Sequence, residues 1–139
     1  MDSLYQEHIL EHYRHPHNRR RMEDFDVKHK GVNVSCGDDL TLYLKWAGDA
    51  LTDVSFEGFG CAISQSGASM LTDKVKGMSR AALDKFTQAD MYTLYGTTIS
   101  PQREKCALLA LHTLHEALKK PITPWQRPRG MQENADMPQ

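Results

Sequence analysis

From Leu40 to Trp46, apolar side chains at Leu40, Leu42, Leu44 and Trp46 alternate with Thr41, Tyr43 and Lys45, the period-two signature of a half-buried strand. Val54 and Phe56 alternate in the same way beyond the Gly48-Asp49 turn signal. An antiparallel hairpin is predicted, with Val32 and Val34 supplying a third strand. After Cys61 the period becomes helical: Ile63, Gly67, Met70, Leu71 and Val75 share one broad face, and Gly77 is placed to end the helix. Ser79 then offers a cap for a short helix over 80–86, and 87–99 reads as a loop with a helical turn near Met91. Ser100-Pro101 predicts an N-cap followed by proline at the first helical position, and Ala107, Leu108, Leu111, Leu114 and Leu118 form the stripe of a long last helix that Pro121 stops.

At the other end of the chain, Ser3 and Gln6 make a capping-box pattern ahead of Leu4, His8, Ile9 and His12, so a short helix is expected up to Pro16. The stretch 14–30 is polar, basic and rich in histidine with no sustained period, and reads as a mobile connection. The strand block followed by a helix block indicates an α+β fold, a small antiparallel three-stranded sheet packed against helices. One domain is expected over 1–120, with a proline-rich disordered tail over 121–139 in which Trp125 is the single anchor.

Composition narrows the function without naming it. A chain of 139 residues with 40% hydrophobic content can bury one core without disulfides or metal. A net charge of −1 gives no global field for duplex nucleic acid or an anionic membrane, and no apolar run is long enough to span a bilayer. The first fourteen residues carry acids and histidines and do not resemble a signal peptide. Three cysteines make an odd count, which argues against a disulfide framework and for a reducing, cytoplasmic setting.

Those cysteines carry the chemistry. Cys36 lies in Ser35-Cys36-Gly37-Asp38, Cys61 follows Gly58-Phe59-Gly60, and Cys106 follows Ser100-Pro101. Glycine-flanked loops and helix N-termini expose sulfur and favour its thiolate, which suits a metal ligand or a sulfur acceptor. Alone, Cys36-Gly37-Asp38 fits a turn with an inert cysteine. With Cys61 and Cys106, Asp38 would complete a four-coordinate set drawn from three distant segments. His12, His15, His17 and His29 read as surface histidines rather than a second metal site, because only His8 and His12 have a rigid helical spacing. Met70, Met78 and Met91 read as packing. Lys105 is either a solvated helix cation or an aid to the Cys106 thiolate.

A resemblance joins these residues. Leu4-Tyr5, His8-Ile9, Glu11-His12-Tyr13, Pro16 and Asn18, then Cys36-Gly37-Asp38-Asp39, then the run from Phe56 to Gln65 with Ala68-Ser69-Met70, then Lys105-Cys106-Ala107-Leu108-Leu109, resemble the U-type iron-sulfur cluster assembly family of IscU, SufU and the N-terminal domain of NifU. The likeness spans most of 4–120. It implies a site of Cys36, Asp38, Cys61 and Cys106, with Cys106 the main persulfide acceptor, holding zinc, iron or a [2Fe-2S] cluster. It also implies a cysteine desulfurase as sulfur donor, recipient apo-proteins as cluster acceptors, and a mobile N-terminal region, Tyr5 included, that helps contact the desulfurase. Lys105 stands where IscU proteins carry histidine, and 97–102 lacks their Leu-Pro-Pro-Val-Lys string, both of which lean toward SufU. The long insertion of SufU proteins between the second and third cysteines is missing, which leans toward a scaffold. Two roles therefore stand side by side, a cluster scaffold and a zinc-dependent sulfurtransferase that relays persulfide. A purely structural zinc module is disfavoured by the aspartate.

Overall fold

A computed structural model describes residues 6–121, and the patterns at Ser3 and Leu4, Tyr5 and the tail with Trp125 lie outside the described residues. The order is α1 (Glu7–Arg14), β1 (Val27–Asn33), β2 (Asp38–Ala47), β3 (Ala50–Phe59), α2 (Ala62–Val75), α3 (Arg80–Asp84), α4 (Gln88–Tyr95) and α5 (Glu104–Leu118). The three strands form one antiparallel sheet in the order β1-β2-β3, and the α+β class is as expected. Leu40, Leu42 and Leu44 point from β2 into a core closed by Val54 and Phe56 of β3 and by Leu71, Leu108, Leu111 and Leu114 of the two long helices. Each such side chain contributes about 1.5–3 kcal/mol on burial. Gly31 lets β1 approach α5, since a Cβ there would meet the Thr113 hydroxyl at 2.1 Å.

Four expectations need correction. The third strand runs Val27–Asn33, while Val34 opens a 3-10 turn (Val34–Cys36) and is exposed. Segment 87–99 is mostly α4, started by a capping box in which Thr87 and Asp90 bond each other's backbone N–H groups. Its three-residue spacing was the available signal. The last α-helix begins at Glu104 after a 3-10 turn (Pro101–Arg103), and Ser100 makes no side-chain cap.

The fourth correction concerns 14–30, which is anchored rather than mobile. Ser69 Oγ lies 2.7 Å from His12 Nδ1 and accepts the His17 N–H at 2.8 Å. Asn18 donates through Nδ2 to Thr72 and Asp73, and its carbonyl accepts the Phe56 N–H at 3.0 Å. Asn18 sits at φ +62°, a left-handed conformation that asparagine tolerates better than most residues. His29 belongs to β1 and reaches Glu116 of α5 at 2.9 Å. The methionine reading agrees with the structure, since Met70 and Met91 are buried in the core and Met78 packs against it.

Candidate metal centre

The cysteine end of the molecule is built by three local decisions. Asn33 and Asp38 pair across the β1-β2 ladder, so the turn between them must reverse within four residues. Gly37 achieves this at φ +69°, a conformation that strains most residues with a side chain. Cys61 is the N-cap of α2, its sulfur accepting the Ser64 N–H at 3.5 Å, as its place between strand and helix predicts. Cys106 is the third residue of α5.

These segments converge on Asp38, which is 2% exposed. Its Oδ1 accepts the Cys61 N–H at 2.8 Å, and its Oδ2 accepts from Asn33 Nδ2 at 3.3 Å. The Cys61 sulfur lies 3.9 Å from Oδ2. Cys36 and Cys106 sulfurs stand 3.1 Å apart without a covalent bond, and one donor atom each from Cys36, Asp38 and Cys106 falls within 4.8 Å of the others. All four residues singled out in the sequence are thus brought together, Cys61 as neighbour of the carboxylate and the other three as the tightest group. Cys36 is exposed, Cys61 half-buried and Cys106 buried.

Cys106 is buried, which works against the thiolate that a helix start favours. Burial pushes the Cys106 thiol well above the ordinary cysteine range, and its contacts with Cys36 and Cys61 and the nearby Asp38 carboxylate add to the effect. The partial charge at the start of α5 does not offset desolvation beside other anionic groups. The same crowding pushes the Tyr95 hydroxyl up, through burial first and then Cys61 and Cys106.

Three residues support the site: Asn33 and Tyr95 carried no recognised sequence signal, and Gly60 was read only as a glycine flanking Cys61. Asn33, 7% exposed, donates to Asp38 and lies 3.5 Å from the Cys106 sulfur. Gly60 leaves space for the carboxylate, because a Cβ there would sit 2.3 Å from Asp38 Oδ1. Tyr95 Oη is 3.0 Å from the carbonyl oxygens of both Ile63 and Ala107, tying together the first turns of α2 and α5 that present Cys61 and Cys106. Gly67 makes room for that hydroxyl. Around the rim, Val32, Val34 and Phe59 are exposed, and a cleft lined by Tyr13, Arg14, Arg19, Phe59 and Gly60 opens beside Cys61.

The donor set suits a cation. Three sulfurs and a carboxylate, with no cationic side chain bonded to any of them among the described residues, are a donor set that a thiophilic metal would fit. No described helix is long and apolar enough to cross a membrane.

Comparison with known proteins gives a consistent picture. Residues 4–122 match the NifU-like N-terminal domain. The chain is 35% identical to the iron-sulfur cluster assembly scaffold protein IscU of Thermotoga maritima, over 84% of this chain and 94% of that one. It is 33% identical to the zinc-dependent sulfurtransferase SufU of Bacillus subtilis, over 86% and 92%. Among solved structures, a putative iron-sulfur cluster assembly scaffold protein for the SUF system from Fervidobacterium islandicum superposes with a TM-score of 0.74 at 31% identity, over 84% of this chain and 97% of that chain.

Proposed function

Since the chain belongs to the NifU-like N-terminal domain family, we propose that it is an iron-sulfur cluster assembly protein. In this reading it takes persulfide sulfur from a cysteine desulfurase, an external two-electron donor reduces that sulfur to sulfide, and Cys36, Asp38, Cys61 and Cys106 would hold iron and sulfide as a [2Fe-2S] centre for transfer to recipient apo-proteins. The observation that carries the proposal is the convergence of three cysteines from separate segments on one buried, doubly hydrogen-bonded aspartate. A zinc ion held by the same residues would keep the sulfurs as thiolates and neutralise the site, while iron and sulfide are substrate.

Each residue then has a task. The exposed rim of Val32, Val34 and Phe59 offers the desulfurase an apolar landing next to Cys36. Cys106 is the acceptor: its thiolate attacks the outer sulfur of the donor persulfide, the donor's S–S bond breaks, the donor cysteine leaves as thiolate, and a persulfide remains on Cys106. Because Cys106 is buried and burial pushes its thiol up, this step needs donor docking to expose the sulfur and favour its ionisation. Asn33 donates toward the Cys106 sulfur and supports its negative charge. Asp38 is the weak link of the set, a hard oxygen among soft sulfurs, and favours release over retention.

A second reading is favoured by one contact. The exposed Cys36 sulfur stands 3.1 Å from the buried Cys106, so persulfide can move between them without a cluster being built, as a zinc-dependent sulfur relay requires. Analysis of metal and acid-labile sulfide after anaerobic incubation with a desulfurase, cysteine, ferrous iron and a reductant separates the two. The scaffold reading expects stoichiometric iron and sulfide, whereas retained zinc with no labile sulfide supports the relay. Asp38→Ala should transfer its cluster to an apo-ferredoxin more slowly in the first case and lose zinc in the second. Unchanged transfer and unchanged zinc would remove Asp38 from the site.

A further inference from the structure

A second group of side chains of metal-ligating type joins α1, the connector and α2. His12 of α1, His17 beyond it and Asp73 of α2 each place one donor atom within 4.8 Å of the others. The two imidazole rings are 4.6 Å apart between centroids and tilted by 51°. From this geometry we infer that His12, His17 and Asp73 form a second divalent-metal site, separate from the cysteines, for a first-row ion of zinc or cobalt type.

The surroundings hold the three side chains as ligands need to be held. Ser69 Oγ accepts the His17 backbone N–H at 2.8 Å and lies 2.7 Å from His12 Nδ1, a contact that leaves His12 Nε2 free to bind metal when the ring proton is on Nδ1. His17 Nδ1 contacts Asp73 Oδ2 at 2.5 Å, and Asn18 Nδ2 donates to Oδ1 at 2.9 Å. The bonds from Ser69 and Asn18 are of the outer kind that orients ligating histidines and carboxylates in known metal sites, while a bound ion would replace the direct His17–Asp73 contact. Two imidazoles and one carboxylate are also the three protein ligands of open zinc sites, in which water completes the shell. Donor atoms around tetrahedral zinc sit about 3.3 Å apart, so the three side chains need only small rearrangements, with any wider pair closing and the His17–Asp73 contact opening. Half-exposed His17 and Asp73 leave the ion a path from solvent. Occupancy would staple α1 and the connector to α2. The connector in turn bonds β3 next to the cysteine site, through the Asn18 carbonyl and through Arg19 to the Gly58 carbonyl at 2.9 Å.

Cobalt(II) titration of the untagged full chain under reducing, anaerobic conditions tests this. Two equivalents are expected, one with the sulfur-to-cobalt charge-transfer band of a thiolate site and one without it. His17→Ala and Asp73→Asn should each lose the second equivalent and keep the thiolate band. A wild type that binds one equivalent with that band, or variants that both retain two, overturns the inference. If cobalt binds without any thiolate band and is lost in His17→Ala, the second site stands and the cysteine-centred proposal fails. Should the variants fold poorly, zinc added to wild type must shift the ring resonances of His12 and His17 together and leave His15 unmoved. Unshifted His12 and His17 resonances overturn the inference equally.

Discussion

The two ends of the sheet are finished in opposite ways. At the hairpin end, the Arg80 guanidinium stacks 4.3 Å over Trp46 and caps α5 through the Leu118 carbonyl at 3.0 Å. The backbones of Leu51 and Met78, of Gly77 and Leu51, and of Arg80 and Asp49 are hydrogen-bonded there as well. At the cysteine end, buried polar groups face each other around Asp38, and Val32, Val34 and Phe59 remain exposed. Tyr13, the fourth large exposed apolar side chain of the described residues, shares a cleft with Phe59 and Gly60. The hairpin end is closed by contacts within the chain, with the buried Trp46 Nε1 left without a partner among the described residues, while the cysteine end presents donor atoms and exposed apolar side chains to something outside the chain. Substitutions at the two ends should therefore separate stability from ligand binding.

The sharpest separation is expected at Gly60. Gly60→Ala drives a Cβ into the Asp38 carboxylate and should lower metal affinity by on the order of 10–100-fold with little change in urea midpoint. Competition with a zinc chelator measures the first quantity and denaturation of the metal-free protein the second. Arg80→Ala at the opposite end should do the reverse, costing about 2 kcal/mol of stability through the lost stack and carbonyl bond while zinc affinity stays within about twofold. Equal effects of these two changes on zinc would dissolve the distinction between the ends.

Tyr95→Phe bridges the comparison, because its hydroxyl joins the starts of α2 and α5 from behind the site. A loss of about 1 kcal/mol in stability is expected together with a smaller, several-fold loss in metal affinity. A smaller effect still lies at the start of α4, which delivers Tyr95. Thr87→Ala should cost about 0.5 kcal/mol. The backbone and side-chain hydrogen bonds from Thr87 hold Asp90 below the ordinary carboxylate range. A depressed carboxylate stabilises the folded state above its unfolded pKa, and that contribution disappears as pH falls through its folded value. The wild type should therefore lose helix stability on the acid side of about pH 4, and Asp90→Asn should flatten that limb, as circular dichroism against pH would report.

Local patterns made half of this readable in advance. The alternation of Leu40, Leu42 and Leu44 and the stripe from Ala107 to Leu118 are periodic, and period follows from which face meets the core. Cys36, Asp38, Cys61 and Cys106 were recognisable by residue type and by the glycines beside them. The connector was misread because what holds His12, His17 and Asn18 is Ser69, Thr72 and Asp73, more than fifty positions away, and such bonds leave no period. Asn33 was passed over for the same reason, being one asparagine at a strand end until the fold places Cys106 beside it. Cys106 shows two rules in conflict, since a helix start favours its thiolate but the packing of α5 buries it, and burial dominates.

A crystal structure of the protein loaded with one equivalent of zinc, with anomalous diffraction recorded at the zinc edge, addresses the cysteine site directly. The account predicts a single strong peak bound by the sulfurs of Cys36, Cys61 and Cys106 at about 2.3 Å and by an Asp38 oxygen at about 2.0 Å. A peak lacking any of these four ligands, or loaded protein in which two of the three sulfurs lie more than about 8 Å apart, would contradict it.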